Sequence, residues 1–313
     1  MPYNLLDLDI GIMNTPVLFI VFNRPEFTLN VFESIRKAAP KKLYVSADGP
    51  RTNVAEDLEN CKKARTIATK IDWDCELHIL FHNYNLGCKT AVSTALNWIF
   101  EKEESAIILE DDCVPDPSFF PFCSQMLNEY KNDKRIISIN GFNFGYQGNP
   151  NSYFFSSLMC MWGWATWKRS AASIDYNMTK WEKTRFKKLN TLFLLKSDNY
   201  NWIEYWWREF NKISNNEIDT WDYQWIYYQL SNRLLSIVPN RNLIENIGFN
   251  MNATHTKNEA SIIAQTQSNS LSFPLMHPLA VVKDKIYERE YLMKLWVYLP
   301  NYNLGYFLRS IFK

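Results

Sequence analysis

Apolar runs of strand length alternate with helix-length stretches through the first 140 residues, and this alternation constrains the fold more than any other feature of the chain. Residues 16–22, Lys42–Ala47, Glu76–Phe81, 105–109 and 135–140 read as strands. Between them, Pro25–Ala38, 54–70 and 88–103 read as helices. Pro25 falls in the first helical turn, where its missing N–H costs nothing. Ala91, Val92, Ala95, Leu96, Ile99 and Phe100 recur at helical spacing. Asp116 and Pro117 look like an N-cap and N1 pair, opening a helix with Phe119, Cys123, Met126 and Tyr130 on one face. Repeated strand–helix–strand units predict an α/β fold, a mostly parallel sheet with helices on both faces. In such sheets ligands bind beyond the carboxyl ends of the strands.

Polar features stand at three of those ends: Asn23-Arg24, Asp48, and Glu110-Asp111-Asp112. The last is the sharpest. Three consecutive carboxylates repel one another, and each is costly to desolvate. A divalent cation gives them a common partner. All-oxygen ligands favour a hard ion such as Mg²⁺ or Mn²⁺, which also grips phosphates. The three residues therefore suggest a metal–diphosphate site, against the alternative of a solvated acidic turn.

Composition excludes more than it selects. With 313 residues, 47% hydrophobic, the chain can bury one large domain or two coupled ones. A net charge of +1 does not call for nucleic acid. There is no GxGxxG or Walker-type loop. The six cysteines (61, 75, 88, 113, 123, 160) form no CxxC pair and read as reduced thiols of a cytosolic protein. Asp7 and Asp9 stand where a signal peptide needs positive charge, and no run reaches the roughly 20 apolar residues of a membrane span. A cytoplasmic protein is expected. The 12 Trp suit a packed core and also a surface that stacks on sugar rings.

The second half is less regular. A Trp-rich loop is expected at 157–169, helices at 200–214 and 219–232, a strand at 234–238 and a polar loop at 257–272. The divisions expected are 1–145 for a nucleotide-sugar-binding half, 146–280 for an acceptor and catalytic-base half, and 281–313 for an amphipathic basic and aromatic tail. That tail either packs on the domain, pairs with a second subunit as a homodimer, or lies on an anionic membrane surface.

Several single residues have two readings. Arg24 reaches a phosphate or base, or is a surface residue before a helix. Asp48 accepts hydrogen bonds from a nucleoside, or caps the turn at Gly49-Pro50. The loop from Asn85 through Gly87 to Lys89 wraps a nucleotide, with Gly87 allowing close backbone approach, while Lys89 alone reads rather as a solvated helix residue than as a phosphate ligand. Asp222 falls at N3 of a helix capped by Asp219, a capping-box position. Framed by Trp221 and Trp225, it also suits a general base on a sugar hydroxyl.

These residues, in order, resemble the GT-A glycosyltransferases, and in particular bacterial relatives of the N-acetylglucosaminyltransferase I family. The resemblance runs over about 15–250. It is carried by Pro16-Val17-Leu18 leading to Asn23-Arg24, Val45-Ser46-Ala47-Asp48-Gly49, and Ile108-Leu109-Glu110-Asp111-Asp112 with Pro115-Asp116-Pro117-Ser118-Phe119-Phe120. Trp162-Gly163-Trp164 and Trp221-Asp222-Tyr223-Gln224-Trp225 complete it. It implies a GT-A, Rossmann-like fold and an inverting, metal-dependent transfer of a sugar, with UDP-GlcNAc as the family's donor. By the same resemblance Asp112 ligates Mn²⁺ (or Mg²⁺), Glu110 and Asp111 hold the donor, Arg24 and Asp48 match donor-binding positions, and Asp222 matches the base. Gly163 and Trp164 border the donor sugar, Trp221 and Trp225 lie on the acceptor side, and His255 is a candidate beside the metal. Two departures from the family are expected: no N-terminal anchor is read in the sequence, and Tyr223 stands where the family has a second acidic residue. The expected partners are a nucleotide-sugar donor and a glycan or lipid-linked glycan acceptor, in bacterial surface polysaccharide or lipopolysaccharide assembly. A metal-dependent nucleotidyl- or phosphotransferase and a non-catalytic carbohydrate-binding protein are the competing readings.

Overall fold

The structure, a computed structural model, describes residues 13–183, 187, 189–190, 200–248 and 266–296. The first part is built as the alternation predicts: β1 (Val17–Val21), α1 (Pro25–Ala38), β2 (Lys42–Ala47), α2 (Asp57–Ala68), β3 (Glu76–Phe81), α3 (Cys88–Lys102) and β4 (Ser105–Glu110). β5 (Cys113–Pro115), α4 (Phe119–Glu129) and β6 (Ile136–Asn140) follow. α2 is shorter than the predicted 54–70, because its first residue, Asp57, turns its side chain back to Arg51. α4 starts later than predicted. Asp116 Oδ1 takes the Ser118 N–H at 2.8 Å in a turn ahead of the helix, and Ser118 holds the N-cap position.

The second part comprises β7 (Tyr153–Ser156), β8 (Trp164–Trp167), α5 (Lys168–Ala171), α6 (Thr179–Glu182), α7 (Tyr200–Ser214), α8 (Asp222–Ser231), β9 (Leu235–Pro239), β10 (Ile244–Asn246) and α9 (Lys285–Trp296). Eight strands form one sheet in the order β3-β2-β1-β4-β8-β6-β9-β7, and β10 pairs with β5. Strands β1 to β4 run parallel, as do β6 and β9. β8 is antiparallel to both of its neighbours and β7 to β9. This is the expected α/β fold: a Rossmann-like and mostly parallel central sheet flanked by helices.

Residues 164–167 correct the expectation of a Trp-rich loop. They form the strand that joins the two parallel blocks, with Trp164, Ala165, Thr166 and Trp167 all buried. Loop composition was the wrong guide: short apolar runs are the form a doubly buried strand takes. The core is continuous across the sheet. Val17, Leu18, Phe19, Leu43, Val45, Ile107, Ile108, Ile137 and Ile139 are fully buried.

The crossovers β1–α1–β2 and β2–α2–β3 step the same way, and right-handed connections put α1 and α2 on one face, where they pack together. The crossover β3–α3–β4 steps back across β2 and β1, which sends α3 to the other face. The reversal of direction leaves a crevice between the carboxyl ends of β1 and β4.

α9 packs on the domain. Tyr287 and Tyr291 are 1% and 9% exposed. Tyr291 meets the Phe144 ring edge-on at 4.3 Å and Tyr287 the Phe154 ring at 4.7 Å. Asp284 caps the helix through the N–H groups of Ile286 and Tyr287, and Glu288 accepts the Ser157 N–H at 2.8 Å. Of the tail expected at 281–313, residues 297–313 lie outside the described residues. Among the described residues no helix is long and apolar enough to cross a membrane.

Candidate active site

The crevice between β1 and β4 is lined from both sides. β1 ends at Phe22-Asn23-Arg24 and β4 at Glu110, with Asp111 and Asp112 directly after it. Arg24 spans the gap: its Nη2 donates to Asp111 Oδ1 and its Nη1 to Asp112 Oδ2 at 3.0 Å. Asp111 is 3% exposed, and its other oxygen accepts the Phe22 N–H at 3.3 Å. With both oxygens engaged inside the protein, Asp111 acts as the anchor that aims Arg24 into the crevice.

Asp112 is the more open carboxylate, with its side chain 18% exposed. Among the described residues its Oδ1 receives only the weak thiol donor of Cys113, at 3.4 Å. The β10 end closes over it: the Ile247 N–H donates to the Asp112 carbonyl at 2.9 Å, and a Cβ built on Gly248 would lie 2.3 Å from Asp112 Oδ2. His255 follows Gly248 in the chain but lies outside the described residues.

Glu110 completes the acidic group. Burial pushes its carboxyl well above the usual range, and the charges of Asp112, Asp111 and Asp222 add to this while Arg24 opposes it. The second half approaches the same space through Trp164, which pairs with Ile108 of β4 and stacks on Trp221, the residue before Asp222. Cys88, at the first turn of α3, is raised by burial and then by Glu110 and Asp222. Cys160 is pushed up to about 12 by burial, with Asp222 and Glu110 contributing.

At the end of β2, Asp48 is buried and organises a loop. Its Oδ1 accepts the N–H groups of Gly49 at 2.8 Å and Leu86 at 2.9 Å, and its Oδ2 accepts Asn85 Nδ2 at 2.8 Å. Asn85 Nδ2 also reaches the Gly49 carbonyl at 3.0 Å. Asp48 and Asn85 thus hold residues 83–87 over the strand end. Burial raises the Asp48 carboxyl despite these donors.

Gly87 has φ +81°, and a Cβ there would lie 2.5 Å from Asp219 Oδ2. What approaches Gly87 so closely is a carboxylate of the second half. Asp219 Oδ2 accepts the Cys88 N–H at 2.7 Å and its Oδ1 the Lys89 N–H at 3.1 Å. The structure thereby corrects the capping assignment. Asp219 caps α3, not the helix that follows it, because two free N–H groups and the positive end of a 15-residue helix lie beside it. Lys89 sits on this half-buried first turn, its Nζ 3.3 Å from Asn216 Oδ1.

Asp222 is accordingly the first residue of α8, with Trp221 at the N-cap, and not at N3. Its Oδ1 accepts the Thr220 hydroxyl and, at 3.0 Å, the Tyr223 N–H. Behind it stands an indole group. Trp164 stacks on Trp221 at 5.8 Å and meets Trp225 edge-on at 4.9 Å. All three are at most 4% exposed, and Trp225 Nε1 donates to the Tyr176 hydroxyl at 3.1 Å. Trp164, Trp221 and Trp225 therefore form the wall on which Asp222 is mounted. Gly163 turns the chain into β8 with φ +57°, where a Cβ would lie 2.3 Å from Ile244 Cδ1.

Sequence reasoning missed two things here. One is the role of Thr220, adjacent to the motif and holding Asp222 by its hydroxyl. The other is Asp57, a 1% exposed carboxylate linking the β1 and β2 ends, for which no local pattern gives a signal.

The donor set fits a hard divalent cation. Two carboxylates, Asp111 and Asp112, share one guanidinium, and among the described residues only a thiol donates to Asp112 Oδ1. Among the described residues no group of three or more His, Cys, Asp or Glu side chains is arranged to hold a metal ion.

No family model matches the chain. No curated protein matches it either. Solved structures with some likeness include HddC from Yersinia pseudotuberculosis, at 10% identity and TM-score 0.31, covering 50% of this chain and 77% of that one. UDP-glucose pyrophosphorylase complexed with UDP-glucose gives 10% identity and TM-score 0.28, covering 51% and 71%. Mouse xyloside xylosyltransferase 1, apo form, gives 8% identity and TM-score 0.32, covering 70% and 82%. Likeness at this level assigns no activity.

Proposed function

We propose that the chain is an inverting glycosyltransferase that moves a sugar from a nucleoside-diphosphate donor to a hydroxyl of a glycan or lipid-linked glycan acceptor. UDP-sugars, UDP-GlcNAc among them, are the first donors to test, and bacterial surface polysaccharide or lipopolysaccharide assembly is the setting. The observation that carries the reading is convergence. Arg24 bonds Asp111 and Asp112 at the switch point of the sheet, and Trp164, paired with Ile108 two residues before Glu110, stacks on Trp221, the residue before Asp222.

In this reading Arg24 binds a phosphate oxygen, and Asp111 holds it in place. Asp48 and Asn85 keep residues 83–87 over the nucleoside. Glu110 and Asp111 border the ribose and donor sugar, with Gly163 and Trp164 behind them. Asp112 would hold Mn²⁺ or Mg²⁺, joined by His255, and the ion supplies charge neutralisation to the diphosphate leaving group. Asp222, steadied by Thr220, takes the proton from the acceptor hydroxyl as its oxygen attacks the anomeric carbon. A single displacement inverts configuration.

The test is release of free nucleoside diphosphate from UDP-sugars in Mn²⁺. Acceptor-stimulated release supports the reading. Turnover of nucleoside triphosphate and sugar phosphate with release of pyrophosphate would assign a nucleotidyltransferase instead, and binding without release a carbohydrate-binding protein.

A further inference from the structure

Asp57 stands outside the set of residues given a role above, yet it is among the most completely bonded carboxylates of the first half. It is 1% exposed, at the first turn of α2. Its Oδ1 accepts Asn23 Nδ2 at 2.6 Å and Arg51 Nη2 at 3.0 Å. Its Oδ2 accepts Arg51 Nε at 2.6 Å and the Arg51 N–H at 3.1 Å. The two partners come from different strand ends: Asn23 follows β1, and Arg51 follows β2 through Asp48-Gly49-Pro50.

Each partner touches the candidate site. Asn23 is next to Arg24. The Arg51 guanidinium lies over the Phe22 ring at 5.4 Å, and the Phe22 N–H is the donor that holds Asp111. Arg51 itself is 45% exposed, so Asp57 fixes a cation that also faces solvent. The molecule contains a control for this geometry. Arg36 and Asp72 form a similar fork, with Arg36 Nε 2.8 Å from both Asp72 oxygens, but both side chains are about half exposed and belong to the segments that lead into β2 and β3, not to those that follow the carboxyl ends.

We propose that Asp57 is a positioning residue for the donor site: through Asn23 and Arg51 it holds the β1 and β2 end loops in the one relative placement that lets Arg24 and Asp48 serve the same nucleoside diphosphate. The inference rests on the donor-binding reading above. A buried carboxylate with charged and neutral donors on both oxygens has little freedom to shift, and a loss of alignment of about 1 Å costs up to roughly a hundredfold in function.

The experiment titrates UDP, GDP, ADP and dTDP, each with Mn²⁺, against the wild-type chain and the variants Asp57→Asn, Asn23→Ala and Asp72→Asn, well below their melting temperatures. The nucleotide that wild type binds best is expected to lose about tenfold in affinity in Asp57→Asn and Asn23→Ala. Asp72→Asn matches wild type. In turnover the donor KM rises by the same factor and the acceptor KM does not move. A clasp that serves only the fold lowers the melting temperature of Asp57→Asn but leaves nucleotide affinity unchanged, and that result overturns the proposal. If Asp57→Asn does not fold, Asn23→Ala removes one arm, keeps the Arg51–Asp57 pair, and decides the matter alone. If no nucleoside diphosphate binds wild type, it is the glycosyltransferase reading that fails.

Discussion

The two sides of the crevice hold their functional groups by different means. On the β1–β4 side, directional bonds place Arg24 (by Asp111 and Asp112), Asp48 (by Leu86, Gly49 and Asn85) and Arg51 (by Asp57). On the other side, Asp222 stands on a wall of Trp164, Trp221 and Trp225, backed by α7, where Trp206 meets Tyr223 at 5.4 Å. Directional bonds fix an angle, so faults in the first side should appear in binding. Aromatic packing fixes a volume, so faults in the second should appear in stability and in the rate.

The largest effect should come from that wall. Trp225→Ala empties a fully buried indole site and is expected to cost about 3–5 kcal/mol of stability, read by urea denaturation. A loss below about 1 kcal/mol would show that the wall is not the second side's support. Asp222→Asn keeps the shape and removes the base, so turnover should fall by roughly 10²–10⁴ with nucleotide affinity near wild type. Normal turnover in this variant removes Asp222 from its role. Asp112→Ala, or EDTA, should do the reverse on the first side and abolish cation-dependent donor binding, measured by calorimetry. Activity unaffected by chelation rules out the metal.

Smaller effects sharpen the contrast. Asp219→Ala frees two N–H groups at the start of α3 and should cost about 1 kcal/mol, seen as a modest fall in the denaturation midpoint. Asp57 gives the first side an acid-sensitive element. The Arg51 fork holds its carboxyl below the usual aspartate range. A depressed folded value means that its stabilisation is fully present above the unfolded value of about 3.9 and is lost as pH falls through the folded one. The stability gap between wild type and Asp57→Asn should therefore be constant near neutrality and narrow below about pH 4. A gap that widens in acid contradicts the assignment.

Much of the first side was legible in the chain. α1, β2 and β3 occur where periodicity places them, and the strand-end carboxylates are consecutive residues whose repulsion is visible without coordinates. The second side was less so. β7 and β8 are four-residue strands buried on every position, too short to show a period and rich in the aromatics that elsewhere mark loops. α9 was read as a tail because amphipathic stretches do not announce the surface they cover; its Tyr287 and Tyr291 pack against Phe144, Phe154 and Trp202.

By itself the sequence determined the order of strand and helix in the first half, the polar ends of those strands, and the acidic run at 110–112, because each is a property of neighbouring residues. Only the tertiary structure decided which groups meet. It turned Asp219 to a helix 131 residues earlier, engaged both oxygens of Asp111 within the protein, set Trp164 in the central strand that joins the two parallel blocks, and stacked it on Trp221 beside Asp222. Such pairings depend on the free energy of burying distant groups together, and no local period in the chain records it.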